Sequence, residues 1–484
     1  MKKAVACILI ILCICIPVNA SEPYENYTYS YEGEPEAEPQ AYYPYQVIDA
    51  ELLGIEELSS PSDIFQADTG NLYIADTGNN RIIELDSKMK FIREISSFDN
   101  RGASDSFKNP NGVFVSEKNN IYIADTDNSR IVILDQNLKL IDIIGKPESA
   151  LMNNDFVYKP IKIGVDYADR MFIVAQNVNE GIIELESNGD FVGFFGTVKV
   201  SANITDAFWK LIATEEQKLR MTKTVPTEYS SLDVDKDGFV YGTVSAVDNK
   251  NLDETMFVHR LNPMGTDVLK RDGTFAPMGD VKHAVDDKLI PQTSKLIDIT
   301  VTHDGIYSVL DQRHGRIFTY DQYGNLLYVF GSNGDSFGQF GSCAALTAYG
   351  TEDFLVVDSK YNQILHFKPT KYGKLITQAV SLYAKRRYEE SEKVWEKVLK
   401  HTSKSEIAFS GMGMNLMRNE KYKESMEYYK LANNRGLYSE AYKAYRLELI
   451  NNNFTLIGIL ILVIAVAVAA VLIYKKIRKK RAAE

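Results

Sequence analysis

Two stretches 49 residues apart answer each other almost position for position, and a chain built from such copies has few folds open to it. Asn71-Leu-Tyr-Ile-Ala-Asp76-Thr-Gly-Asn-Asn-Arg81-Ile-Ile-Glu-Leu-Asp86 is matched by Asn120-Ile-Tyr-Ile-Ala-Asp125-Thr-Asp-Asn-Ser-Arg130-Ile-Val-Ile-Leu-Asp135. Each copy is a β-rich run, a polar turn and a second β-rich run. Pro61-Ser-Asp-Ile-Phe65 or Pro110-Asn-Gly-Val-Phe114 precedes it and residues 90–95 or 139–144 follow, which makes four strands per unit. Weaker copies occupy 170–186 with 191–196, then 237–262, 304–321 with 326–331, and 352–367, so six units are expected. Four-stranded antiparallel units repeated in this way close radially, because closure covers strand edges that otherwise pair with other chains. The expected fold class is mainly β: a six-bladed β-propeller, followed by an α-helical hairpin stack and one transmembrane helix. The last unit runs into helix without a fourth strand, while an unassigned strand pattern at 45–55 precedes the first unit. That N-terminal strand is expected to complete the last blade and clasp the ring.

The motif Tyr-Ile-Ala-Asp-Thr-Gly-Asn-Asn-Arg-Ile resembles the NHL repeat family of six-bladed propellers, and the resemblance covers roughly residues 60–368. Unit three departs from it with Gln176-Asn177-Val-Asn-Glu180, unit four has lost the motif core, and unit six carries Asp358-Ser-Lys360-Tyr-Asn-Gln363. Propellers of this shape include metal-dependent lactonases and hydrolases as well as pure binders, so the resemblance leaves activity open.

The two ends set the expected location. Lys2 and Lys3 precede an apolar run to Ile16, and Val18-Asn19-Ala20 offers small residues for cleavage, so residues 1–20 read as a signal peptide. Residues 454–474 hold no charge and are long enough for a hydrocarbon core of roughly 30 Å. Lys475, Lys476, Arg478, Lys479, Lys480 and Arg481 follow, and such a cluster stays cytoplasmic. The expectation is a single-pass cell-membrane protein with a cytoplasmic tail at 475–484 and the bulk of the chain outside, in a bacterial envelope. Of four cysteines only Cys343 lies beyond the signal segment, so no internal disulfide is expected. Residues 21–44 form an acidic Pro- and Tyr-rich linker, and 45–370 the propeller, with a helical insertion at 198–228.

From residue 371 to 450 the apolar period turns helical. Leu382, Tyr388, Ser391, Trp395 and Val398 recur 34 positions later as Leu416, Tyr422, Ser425, Tyr429 and Ala432. This looks like tetratricopeptide repeats, whose stacked helices commonly bind peptides, which implies a protein partner in or at the membrane. A spacer role remains open beside it.

Outside the signal segment and the tail the chain carries 46 Lys+Arg against 64 Asp+Glu, and residues 371–450 are basic by +6, so the propeller is strongly acidic. That balance argues against a nucleic-acid partner. His259, His283, His303, His314, His366 and His401 show no metal-ligand spacing, and no nucleophile elbow or phosphate-binding glycine loop is present. No metal, cofactor or catalytic residue is therefore expected. The turns between second and third strands should line one mouth of the propeller, giving ligand-face candidates Asp76, Arg81, Asp125, Arg130, Asn177, Asp311, Arg313, His314, Asp358 and Lys360. For each Asp and Arg, fold support is the other physical role: the Asp can accept from turn amides, and the Arg can pair with that Asp. The reading is an extracytoplasmic binding or scaffold protein whose propeller takes a carbohydrate, peptide or protein. A hydrolase of gluconolactonase type is the alternative.

Overall fold

The computed structural model describes residues 23–148, 157–196, 228–244, 256–280 and 293–481. The expected signal peptide, almost all of the insertion at 198–228 and its expected helix, and His283 lie outside them.

Six sheets form the first unit. Blade one is Asp63–Gln66, Leu72–Asp76, Arg81–Leu85 and Phe91–Ile95, in that order across the sheet. Blade two is Pro110–Val115, Ile121–Asp125, Arg130–Leu134 and Leu140–Ile144, and blade three is Pro160–Val165, Met171–Ala175, Ile182–Leu185 and Phe191–Phe195. Among the described residues blade four has three strands, Tyr229–Val234, Val240–Val244 and Val258–Leu261. Blade five is Leu296–Val301, Tyr307–Asp311, Arg316–Tyr320 and Leu326–Phe330. Blade six is Cys343–Tyr349, Asp353–Asp358 and Gln363–Pro369, and its outer strand is the N-terminal Tyr42–Ile48. Ile48 pairs with Ile364 and Tyr42 with Pro369, so the ring closes with its first strand, as the missing fourth strand of the last unit requires. The strand ends earlier than residue 55, because Asp49 accepts a hydrogen bond from the Leu52 amide and caps a one-turn helix, Ala50–Leu53.

Apolar side chains of neighbouring blades interlock rather than filling one central core. Ala75 and Ile82 of blade one pack with Val113 and Ile123 of blade two, and Ile48, Val357 and Ile364 of blade six pack with Ile64 and Ile74 of blade one. A hairpin of Ser97–Asn100 and Ala103–Ser106 lies between blades one and two, held by Phe98 against Phe107 with ring centroids 5.5 Å apart.

Residues Tyr29–Pro39 and Lys371–Glu484 make up a second unit. Its helices are Lys371–Ala384, Tyr388–His401, Glu406–Arg418, Tyr422–Leu431, Arg435–Asn452 and Phe454–Arg481. The 34-residue recurrence is visible in their contacts. Ser391 donates to the Ala379 carbonyl and Ser425 to the Gly413 carbonyl, while Arg386 and Glu420 both turn through positive φ. Gly411 and Gly413 let helices close up, since a Cβ on them would stand 2.4 Å from Trp395 and 2.6 Å from Tyr429. In the same unit Glu38 of the N-terminal arm accepts a hydrogen bond from Tyr372 at 2.7 Å. Burial raises the Glu38 carboxyl above its ordinary range, against the pull of Tyr372 and Ser405. Phe454–Lys479 is a span of 26 residues, about 39 Å of helix, and is long and apolar enough to cross a membrane.

Candidate functional site

The first strand of each blade faces the axis at one equivalent position. Asp63, Gly112, Lys162, Ser231, Asp298 and Ala345 all stand opposite the residue that precedes the end of the second strand. Lys162 of blade three reaches blade one and blade five at once: its Nζ lies 2.6 Å from Asp63 Oδ1 and 3.2 Å from Asp298 Oδ1. A side chain that touches both alternate blades must cross the axis. Asp63 and Asp298 are 1% and 2% exposed, and each of their carboxylate oxygens has a partner. Asp63 Oδ2 accepts from the Val113 amide, Asp298 Oδ2 from the Leu346 amide, and Asp298 Oδ1 from Ser231 Oγ at 2.5 Å. Each carboxylate thus binds the next blade as well as the lysine. Asp233, one step along the blade-four strand, does the same for the Val301 amide.

Burial pushes the Asp63 carboxyl up to about 6, with Lys162 pulling it down and Asp298 pushing it further up. Asp233 is likewise raised to about 6, chiefly by burial. Lys162 is held above the usual ammonium range because its two carboxylates outweigh the burial that would lower it.

The predicted mouth residues occupy the turns between second and third strands, where their work is largely structural. Asp76 accepts from the Ser59 amide, Asp125 from the Lys108 amide, Asp311 from the Lys295 amide and Asp358 from the Gly341 amide, at 2.7, 2.7, 2.8 and 2.7 Å. All four are fully buried, and each ties the turn to the entry of its own blade. The residue before the third strand is in the left-handed region in these turns, which explains Asn80, Ser129, Gly315 and Asn362 there. Arg81 Nε and Arg130 Nε each lie 2.7 Å from the turn Asp of their own blade. Asn177, Arg313 and Lys360 are exposed. The Asn177 amide donates to Glu228, and Arg313 reaches the Thr293 carbonyl.

Blade five departs from this plan. His314 Nδ1, not an arginine, lies 2.6 Å from Asp311 Oδ2, and Arg316, which stands where Arg81 and Arg130 stand, turns to Asp280 at 2.5 Å. His314 Nδ1 is also 3.5 Å from Asp280 Oδ2. Burial raises the Asp311 carboxyl, but the hydrogen bond and charge of His314, with Ser294 and the Lys295 amide, outweigh it and leave the group below its ordinary range. Among the described residues, Asp280, Asp311 and His314 each offer one ligand atom, all within 4.8 Å of one another, and form a group that could hold a cation. Arg316 already matches the Asp280 charge, so a metal there would have to displace a guanidinium.

Sequence reading named Asp311 and His314 but missed Asp280, which lies in a segment without periodicity. It also missed Lys162, Asp63 and Asp298; their signal was a charge at the same place in three otherwise apolar strands. His259 and His366 pair with Asp267 at 3.0 Å and Asp353 at 2.7 Å and belong to the blade framework.

A model of the NHL repeat matches residues 107–134, which are the first three strands of blade two and the turn that joins them. No curated protein matches the sequence. Among solved structures the chain is similar to virginiamycin B lyase from Staphylococcus aureus, at 11% identity over 68% of this chain and 99% of that one, with a TM-score of 0.41. A protein of unknown function from Bacteroides thetaiotaomicron is 12% identical over 72% of this chain and 76% of its own, with a TM-score of 0.43. The PQQ-bound aldose sugar dehydrogenase from Streptomyces coelicolor is 11% identical over 68% and 98%, with a TM-score of 0.38. Likeness at this level assigns no activity.

Proposed function

We propose that the chain is a membrane-anchored recognition or scaffold protein whose propeller, held outside the cell, binds an extracellular carbohydrate, peptide or protein. Its helical pairs, tetratricopeptide-like in their 34-residue recurrence, engage a protein partner at the membrane. The observation that carries this reading is the charge arrangement on the axis. A propeller hydrolase of the gluconolactonase type needs a divalent metal there, held by convergent carboxylates. Here the six inward positions supply two carboxylates, and the ammonium of Lys162 stands between them at 2.6 and 3.2 Å. The chain provides its own axial cation, and the group is a clasp between blades.

The anchor reading rests on the apolar 26-residue span and the basic cluster behind it, which favours the cytoplasmic side for the C-terminus. Two measurements test the proposal. Elemental analysis of the full chain in detergent, before and after chelation, is expected to find no stoichiometric metal; one Ca, Zn or Mn per chain would overturn the binding reading in favour of the hydrolase. Protease added to intact cells is expected to digest the propeller and spare a C-terminal epitope tag. Protection of the propeller would overturn the orientation.

A further inference from the structure

The N-terminal arm is acidic, with six Glu and no Lys or Arg over residues 21–45, and a segment of that composition has little reason to bury itself. Yet Tyr24, Asn26, Tyr27 and Thr28 are each 6% exposed. They are held within the propeller unit by contacts of the kind a bound peptide makes. The Pro23 carbonyl accepts from Gln339 Nε2 at 2.7 Å, and Tyr24 Oη donates to the Tyr42 carbonyl at 2.7 Å while its ring lies 6.4 Å from Phe367. Tyr27 Oη donates to Asp280 Oδ1 at 2.5 Å, and the Arg316 guanidinium lies 5.3 Å from the centre of the same ring.

Asp280 and Arg316 are available for this because of the change in blade five. In blades one and two the arginine is drawn to the turn Asp of its own blade, but His314 takes that role at Asp311 and lets Arg316 and Asp280 face the arm together. The result is a two-part reader of a phenol: a carboxylate that accepts a hydrogen bond from the hydroxyl and a cation that faces the ring. Exposed Arg313 and Lys360 lie on the turns of blades five and six, exposed Lys295 stands at the entry of blade five, and all three complement an acidic peptide.

We propose that this edge of the propeller, along blades five and six, is a binding site for an extended, acidic peptide read through an unmodified tyrosine, and that residues 23–28 occupy it in cis. The proposal rests on the binding reading above and names the ligand class for it. Because Asp280 accepts a hydrogen bond from the phenol hydroxyl, phenylalanine loses that bond, and a phosphotyrosine sets two negative groups against each other. A cis segment acts at an effective concentration on the order of millimolar, so the site of the intact chain resists a competitor at micromolar concentration.

The test uses the full chain in detergent and a fluorescent peptide with the sequence of residues 21–31, read by anisotropy. Wild type should bind it weakly, and a Tyr24→Ala/Tyr27→Ala chain about 100-fold more tightly, because its arm no longer holds the site. Adding Asp280→Asn to that chain should cost at least tenfold, as should phenylalanine or phosphotyrosine at peptide position 27. Equal affinity of wild type and the double variant, or tighter binding of the phosphopeptide, would overturn the proposal. Hydrogen exchange keeps it testable should the double variant fail to fold. In wild type, excess peptide should speed exchange of the amides at 24–28, and unchanged exchange at saturating peptide would overturn the assignment. A stoichiometric metal would sink the binding reading whatever the peptide does, whereas failure of the peptide in a metal-free chain removes this site alone.

Discussion

Replacing Lys162 by Met keeps the length of the side chain and removes the one cation between Asp63 and Asp298. Breaking a buried charge pair by deleting one partner costs about 3 to 5 kcal/mol, because the remaining charge is left in a low-dielectric site. The axis also fixes how that loss varies with pH. Asp63 and Asp233 are raised from 3.8 to about 6, so both bind a proton more tightly folded than unfolded. Their contribution is fully present below about pH 4 and is lost as the pH rises through about 6, by about 3 kcal/mol for each group. Lys162, raised above its unfolded value, stays charged throughout the range from pH 5 to 8 and adds no slope there. Without it both carboxyls shift further up. Lys162→Met is therefore expected to cost about 4 kcal/mol at pH 8, roughly 10 °C in melting temperature, and less than half of that at pH 5, where Asp63 is protonated. Near-UV circular dichroism of the full chain in detergent, melted at both pH values, measures this. An equal loss at the two pH values, or a loss under about 1 kcal/mol at pH 8, would refute the claim that the lysine is the counter-charge of a dry axis.

Three further substitutions probe the units separately. Ile48→Asp places a charge on a side chain 1% exposed in the ring-closing strand and should cost about 3 kcal/mol or more by urea denaturation, whereas Tyr43→Asp, at 38% exposure on the same strand, should change stability by under about 0.5 kcal/mol. Gly411→Val drives a side chain into Trp395, which lies 2.4 Å from the position of its Cβ, and should destabilise the helical unit by about 1 to 3 kcal/mol while leaving the propeller transition in place; a calorimetric scan that resolves two transitions checks it.

The turn chemistry was legible because it is local: an Asp, two or three polar residues, a left-handed position and an Arg recur within six residues in blades one and two. Ring closure was legible because the last unit lacks a strand that only the N-terminus can supply. The axial group was not, since Lys162 is 99 residues from Asp63 and 136 from Asp298 and only the closed ring brings them together. Asp280 left no trace either, because its place is set by Arg316 rather than by any repeat. The hairpin at 97–106 is short and rich in Ser and Asp, and its two anchoring phenylalanines carry no period.

The outer strand of blade six is made first and its partner last. Ile48 waits for Ile364, 316 residues later, which at 5 to 20 residues per second is on the order of 15 to 60 s of synthesis. Throughout that interval a seven-residue strand, Tyr42–Ile48, has no correct neighbour, while the outer edges of blades already made are exposed beside it. Any pairing it makes then has to be undone before the sixth blade can form. Joining ends so far apart also costs about 5 kcal/mol of chain entropy, recovered only when the final strand lands. Completion of this ring is therefore a single late event that fixes all six blades together, and a nascent chain cut short anywhere before residue 363 leaves the circle open.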